Sequence, residues 1–199
     1  VKSARVVLCT NGFENFEIFN KSGLDIDTRF HHLVDGYIGY MSAYLEPLDK
    51  PPVAVVYFTD PDVSITDPYF YLTRRQYEYD NNKHNLISVG GPEVPLEDRR
   101  EYERDREYPE KVREKIDAFV KDFYDTRGEP IDYIFTWHGL MGYTPNGVRL
   151  VGVEPKNPVL LYNLGCNGIG ILPSIFGGER IAKIIKVEKL PPSLFDPVL

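Results

Sequence analysis

The sequence predicts an α+β fold: a multi-stranded, mostly antiparallel sheet flanked by two main helices. Three observations carry the prediction. Segments rich in Tyr and Phe, separated by turn residues, fill the middle of the chain, and the whole contains 14 Tyr and 11 Phe in 199 residues. Pro109 opens one long amphipathic stretch in which Val112, Ile116, Phe119, Val120 and Phe123 share a face. A second helical pattern, from near Pro173 to about Val187, follows a short apolar run and a group of glycines.

The elements follow in order. Ala4 to Thr10 is a short apolar run that stops at Asn11-Gly12, which reads as a buried strand of the parallel type feeding a turn. Such a strand so near Val1 leads us to expect further sequence upstream. Phe30 to Leu45 reads as one or two strands with a bulge or bend at Gly36 or Gly39. Val53 to Phe58 is a strand, and Asp60-Pro61-Asp62 a turn. Tyr69 to Arg75 and Tyr77 to Tyr79 are strand segments. Asp80 to Lys83 forms a hairpin-like loop, and His84 to Gly90 is the return strand, ended by Gly90-Gly91-Pro92. Leu96 to Glu107 is dense in both charge signs and reads as a solvated helix or loop. The amphipathic helix comes next, with Gly128 beyond its end. Ile131 to Trp137, Val148 to Val153 and Val159 to Leu164 are strands, and Leu190 to Phe195 is an extended tail.

Composition excludes several function classes. A net charge of −7 is the wrong sign for a nucleic-acid partner. No continuous apolar run is long enough to span a bilayer, and the first residues show no secretory pattern. The cysteines, Cys9 and Cys166, are isolated, which points to a reducing cytoplasm rather than a disulfide framework. No CxxC or HExxH spacing is present, so no metal site is expected. His31 and His32 point to opposite sides of a strand and do not pair as ligands.

Two segments carry the chemistry. One runs from Leu161 through Gly165, Cys166, Asn167, Gly168, Ile169 and Gly170 to Pro173, then into Gly177, Gly178 and Ile185. Glycine permits positive φ and close approach to a ligand, and the helix behind it turns its amides and the positive end of its dipole outward. That suits a flat, electron-rich or anionic group. The other segment is Trp137-His138-Gly139-Leu140-Met141-Gly142-Tyr143-Thr144-Pro145-Asn146-Gly147-Val148-Arg149-Leu150-Val151-Gly152.

Together, in this order, they resemble the C-terminal part of the D-amino-acid-oxidase-like superfamily of FAD-dependent oxidoreductases, which includes glycine and sarcosine oxidases. The family pattern is W-x-G-x-x-x-x-T-x-D-G-x-P-x-x-G, a strand, then G-x-x-G-x-G and a helix. Ala4 to Gly12 resembles its last FAD-domain strand and turn. Tyr69 to Arg74 and Leu86 to Gly91 resemble its paired substrate-domain strands. The resemblance implies a division into 1–28 (end of an FAD-domain strand and linker), 29–155 (substrate-binding sheet) and 156–199 (C-terminal strand, flavin-facing glycine turn and helix).

The resemblance further implies that Gly12, Gly139, Leu140, Met141, Asn167, Gly168, Ile169, Gly170 and Ile171 face FAD. Amides at a helix N-terminus stabilise the negative charge that reduction places on the flavin's pyrimidine edge. Gly177 and Gly178 let the helix pack closely on a neighbour. Tyr71, Arg74 and Tyr143 would line the substrate pocket, with Arg74 as its cation. His138 is either an acid–base group beside the flavin or a strand histidine bonded to backbone. Trp137 is core or pocket wall, and Cys166 a small buried cysteine. Met141 stands where related amine oxidases often carry an Arg for the substrate carboxylate, Asn146 replaces the usual Asp, and Arg149 the usual Pro.

The G-x-G-x-x-G fingerprint that holds the AMP half of a dinucleotide is missing from this sequence. The expectation is therefore the substrate-binding and capping part of a longer FAD enzyme, acting on a small amine or amino-acid-like molecule. Its partner would be an N-terminal FAD-binding portion, and the isolated chain would bind FAD weakly or not at all. The alternative is a non-catalytic binding or assembly module derived from that fold.

Overall fold

The computed structural model describes residues 3–11, 18, 19, 21, 23–27, 29, 30, 33–58, 69–98, 102–124 and 130–198. Among them are the strands β1 (Val6–Leu8), β2 (Asp35–Glu46), β3 (Val53–Phe58), β4 (Tyr69–Tyr79) and β5 (Asn82–Pro95). Helix α1 (Glu110–Phe123) follows, then β6 (Tyr133–Tyr143), β7 (Leu150–Glu154), β8 (Asn157–Leu164) and helix α2 (Ile171–Ile185). One sheet has the order β3-β4-β5-β2-β6 and the other β1-β8-β7. The chain forms two compact units. One is Ile38–Val94 with Glu103–Gly139, and the other is Val1–Tyr37, Pro95–Tyr102 and Leu140–Leu199. The expected α+β class is what the chain adopts.

In the five-stranded unit, β4 pairs antiparallel with both β3 and β5. The β4–β5 hairpin closes through Asp80 and Asn81, at φ +48° and +61°. Two left-handed residues in a two-residue turn match the twist of the flanking strands, and Asp and Asn tolerate that region best after Gly. The segments expected on either side of Gln76 are one strand. Nor do Gly90 and Gly91 end β5, which runs on to Pro95. A Cβ on Gly90 would lie 2.3 Å from Met41 Sδ and 2.4 Å from Tyr71 Cζ, and one on Gly91 would lie 2.5 Å from Phe70 Cδ1. These glycines make room for rings crossing β5, so they mark close approach rather than a break.

Helix α1 covers one face of this sheet with Val112, Ile116, Phe119 and Val120. Phe70 stacks on Phe119 at 4.4 Å, and Tyr108 fits edge-on against Tyr40 at 5.3 Å. Phe123, expected on the buried face, is 55 % exposed and rests on Phe119, because the helix ends there at Tyr124. The other unit is built on β8, parallel to β1 and antiparallel to β7. Its alternate residues bury on both faces: Leu160, Tyr162 and Leu164 with Val34 and Leu150 on one, Leu161 with Val151 and Ile181 of α2 on the other. β1 is the sheet's edge and only partly covered, not the buried strand expected from its composition.

The C-terminal tail closes over this second face. Val151 donates to the Phe195 carbonyl at 2.7 Å, and Arg180 grips both oxygens of Asp196 at 2.6 and 2.7 Å. Gly177 brings α2 onto the sheet: a Cβ there would lie 2.3 Å from Asn163 Oδ1. Gly178, expected to serve the same purpose, has nothing within 4 Å. Among the described residues no helix is long and apolar enough to cross a membrane.

Candidate functional site

The glycine turn is built by three left-handed residues close together. After β8 the chain passes Gly165 at φ +79°, Asn167 at +47° and Gly168 at +76°, then enters α2. Gly165 is also pressed from the side, since a Cβ there would meet Thr144 Cγ2 at 2.8 Å. Asn167 fastens the turn to the other motif. Its amide N–H donates to the Gly142 carbonyl at 3.0 Å. Its Oδ1 accepts from the Thr144 amide at 2.8 Å and from Thr144 Oγ1 at 3.2 Å, while its Nδ2 donates to Gly147 O at 3.1 Å. Asn146 accepts from the Val148 amide at 3.0 Å and shapes the same loop. Asn11 adds a third segment, donating to the Leu140 carbonyl at 3.2 Å. Gly12, its neighbour, lies outside the described residues.

The turn presents a distinct chemistry to solvent. Gly170 caps α2 without a side-chain acceptor, so first-turn amides are left for an outside acceptor. No acidic residue lies in that first turn, so the positive end of the helix dipole is not offset there. Around these donors stand Ile169, Ile171 and Leu172, the last two 80 % and 77 % exposed. Gly168 to Pro173 line an open hollow of about 410 Å³. Open N–H groups set among apolar side chains fit the polar edge of a flat ring, such as that of a flavin, and do not form the many-amide cradle of a nucleotide phosphate.

Behind the turn lies Arg149, 7 % exposed. It donates through Nε to Asn163 Oδ1 at 3.0 Å, through Nη1 to Gly165 O at 3.0 Å and through Nη2 to Asn163 O at 3.2 Å. The sequence showed Arg149 only as a departure from a pattern, and gave no sign that it is buried under the turn. In the same unit, Tyr143 packs edge-on against Tyr37 at 4.9 Å, and Met141 is half-buried.

The five-stranded unit holds the remaining candidates, and the alternation of its strands sorts them between two faces. Phe70, Leu72 and Arg74 of β4 point to the α1 side. Arg74 donates to Pro51 O at 2.7 Å and to the Tyr124 hydroxyl at 2.6 Å, and lies over the Tyr124 ring. His138 shares that side, with Nε2 at 3.1 Å from the Arg106 carbonyl and its ring 5.8 Å from Tyr40. The backbone-bonded reading of His138 is therefore the one its surroundings favour.

The opposite face is aromatic. Tyr71, beside Met41, is followed on the same side by Arg75, Tyr77 and Tyr79. Tyr77 and Tyr79 meet the Phe135 ring of β6 edge-on at 6.2 and 6.0 Å. Trp137 lies two residues on from Phe135 and is 42 % exposed; Gly139, two further, has open space where a side chain would be. Burial, with Glu93 and Tyr69 nearby, pushes the Tyr71 phenol up to about 12, which keeps it a hydrogen-bond donor at neutral pH. Arg75 is an exposed cation on this face; the sequence reading named its neighbour Arg74, and a shift of one residue changes the face. Among the described residues no group of three or more His, Cys, Asp or Glu could hold a metal, and Cys9 and Cys166 are free thiols.

Comparison with known proteins gives a consistent picture. The model of the FAD dependent oxidoreductase family matches residues 1–184. NikD, described as an unusual amino acid oxidase essential for nikkomycin biosynthesis, superposes with a TM-score of 0.66 at 13% identity, covering 97% of this chain and 48% of that one. Iminodiacetate oxidase from Chelativorans sp. BNC1 gives 0.60 at 12% identity, covering 99% and 47%. Glycine oxidase from Geobacillus kaustophilus gives 0.58 at 15% identity, covering 96% and 44%. The chain thus spans less than half the length of these solved structures. No curated protein matches it.

Proposed function

The chain belongs to the FAD-dependent oxidoreductase family, and from that premise we propose that it is the substrate-binding and flavin-capping part of an enzyme that oxidises a small amine. The observation that carries this reading is the four-bond attachment of Asn167 to the Gly142–Gly147 segment, which holds the two family motifs together and leaves the α2 amides open. Bound FAD supplies a two-electron acceptor for a hydride from the carbon next to nitrogen. The amides of Gly168, Gly170 and Ile171 would hold the negative charge that a bound flavin develops at its pyrimidine edge, while that of Ile169 already donates to Cys166 O within the turn. Within the five-stranded unit taken by itself, Tyr71 and Arg75 offer a hydrogen-bond donor and a cation to a small molecule on the aromatic face. Met141 leaves the position of the usual carboxylate-binding Arg without charge, so a simple α-amino acid is not the favoured substrate. The AMP half of FAD belongs to a portion outside this chain.

The test uses the flavin-loaded protein that contains this chain. Anaerobic bleaching of the flavin by secondary amines supports the reading; a protein that neither retains flavin nor is bleached by any amine or hydroxy acid is the non-catalytic module instead. Two neighbouring variants then locate the substrate. Arg75→Ala is expected to raise KM roughly tenfold, the scale of one exposed charge-assisted contact, with no change in melting temperature. Arg74→Ala is expected to lower the melting temperature with KM unchanged, because its partners are Pro51 O and Tyr124. The reverse pattern removes Arg75 from the substrate face.

A further inference from the structure

Among the described residues the guanidinium of Arg149 is a buried cation without an anionic partner. Its three acceptors, Asn163 Oδ1, Asn163 O and Gly165 O, are all uncharged. The titratable groups that act on it are the thiols of Cys166 and Cys9, and desolvation pulls its proton affinity down. Burying a charge without a counter-charge is costly, and uncharged donors satisfy carbonyl oxygens without that cost. A retained charge in such a place therefore needs an electrostatic explanation as well as a structural one.

Its position supplies one. Nη1 holds the carbonyl of Gly165, the residue that opens the turn. Asn163, its other partner, also donates to Ser174 O in the first part of α2 at 3.4 Å. The charge is thus coupled to both ends of the loop whose amides are open, and no acidic residue of α2's first turn offsets it. We propose that Arg149 is a positioning residue that holds the glycine turn in shape and places a fixed positive charge behind it, so that the site favours the anionic, reduced state of the ring it faces. The inference rests on the reading that this turn faces the flavin.

The experiment again uses the flavin-loaded protein. Wild type, Arg149→Gln and Arg149→Lys are compared by flavin midpoint potential, by affinity for sulfite, whose binding leaves the ring negatively charged, and by melting temperature. A unit charge acting through protein of intermediate dielectric predicts roughly tenfold weaker sulfite binding in Arg149→Gln, with a lower potential. Arg149→Lys keeps the charge and is expected to stay within about threefold of wild type even where its melting temperature falls. If Arg149→Gln lowers the melting temperature yet leaves potential and sulfite affinity in place, Arg149 is only a clamp. If Arg149→Gln does not fold, Arg149→Lys decides: loss of sulfite affinity there overturns the proposal. Leu172→Asp serves as the separate control, because Leu172 is exposed and opens the same helix. If Leu172→Asp leaves sulfite affinity unchanged, the turn does not face the flavin; if it weakens sulfite while Arg149→Gln does not, the Arg149 proposal alone fails.

Discussion

Asn167→Leu is expected to cost about 2–4 kcal/mol in stability and to weaken flavin binding roughly tenfold or more. Two effects add. Leucine at φ +47° is strained, by about 1–2 kcal/mol, where asparagine is tolerated. The Oδ1 and Nδ2 bonds to Thr144 and Gly147 also disappear, and the Thr144 amide loses its acceptor. Asn167→Gly separates the effects, since it keeps the left-handed backbone and removes only the side-chain bonds. Urea midpoints and flavin dissociation constants for the three proteins decide the matter. A glycine variant equal to wild type in both would mean that the cross-link between the motifs contributes nothing.

A neighbouring pair of glycines in α2 is expected to respond with opposite signs. Gly177→Ala should destabilise by about 2–3 kcal/mol, because its Cβ would lie 2.3 Å from Asn163 Oδ1 and 3.1 Å from Val151 Cγ2, against a close-packed strand. Asn163 is also the acceptor of Arg149, so the disturbance reaches the turn. Gly178→Ala meets open space and should stabilise by about 0.5–1 kcal/mol through helix propensity. Calorimetric melting of the two variants side by side gives the sign of each. A stabilised Gly177→Ala would show that α2 does not sit on β7 and β8 in solution as described.

Much of the fold was legible because its signals are local. The face of α1, the hairpin at Asp80 and Asn81, and the run into α2 all follow from spacing and turn chemistry. The failures came where a residue's reason lies across the sheet. Gly90 and Gly91 resemble a strand terminator in sequence, whereas they are small because Tyr71, Met41 and Phe70 cross them. β1 reads as buried from its own residues, yet its exposure depends on having β8 on one side only.

The candidate site divides the same way. Asn167 and the glycines after it stood out because positive φ and close approach restrict residue choice. Arg74 and Arg75 were indistinguishable, since only the register with β5 and the placement of Tyr124 show which one turns toward α1. Arg149 was visible only as a departure from the family pattern; its burial was not, because that is made by Asn163 and Gly165, fourteen and sixteen residues away.

The apolar entrance to α2 has a practical consequence for handling the protein. Ile169, Ile171, Leu172 and Ile175 form a contiguous water-facing surface of the kind that drives self-association when nothing covers it. Produced by itself, this polypeptide should be prone to precipitation for a reason unrelated to misfolding.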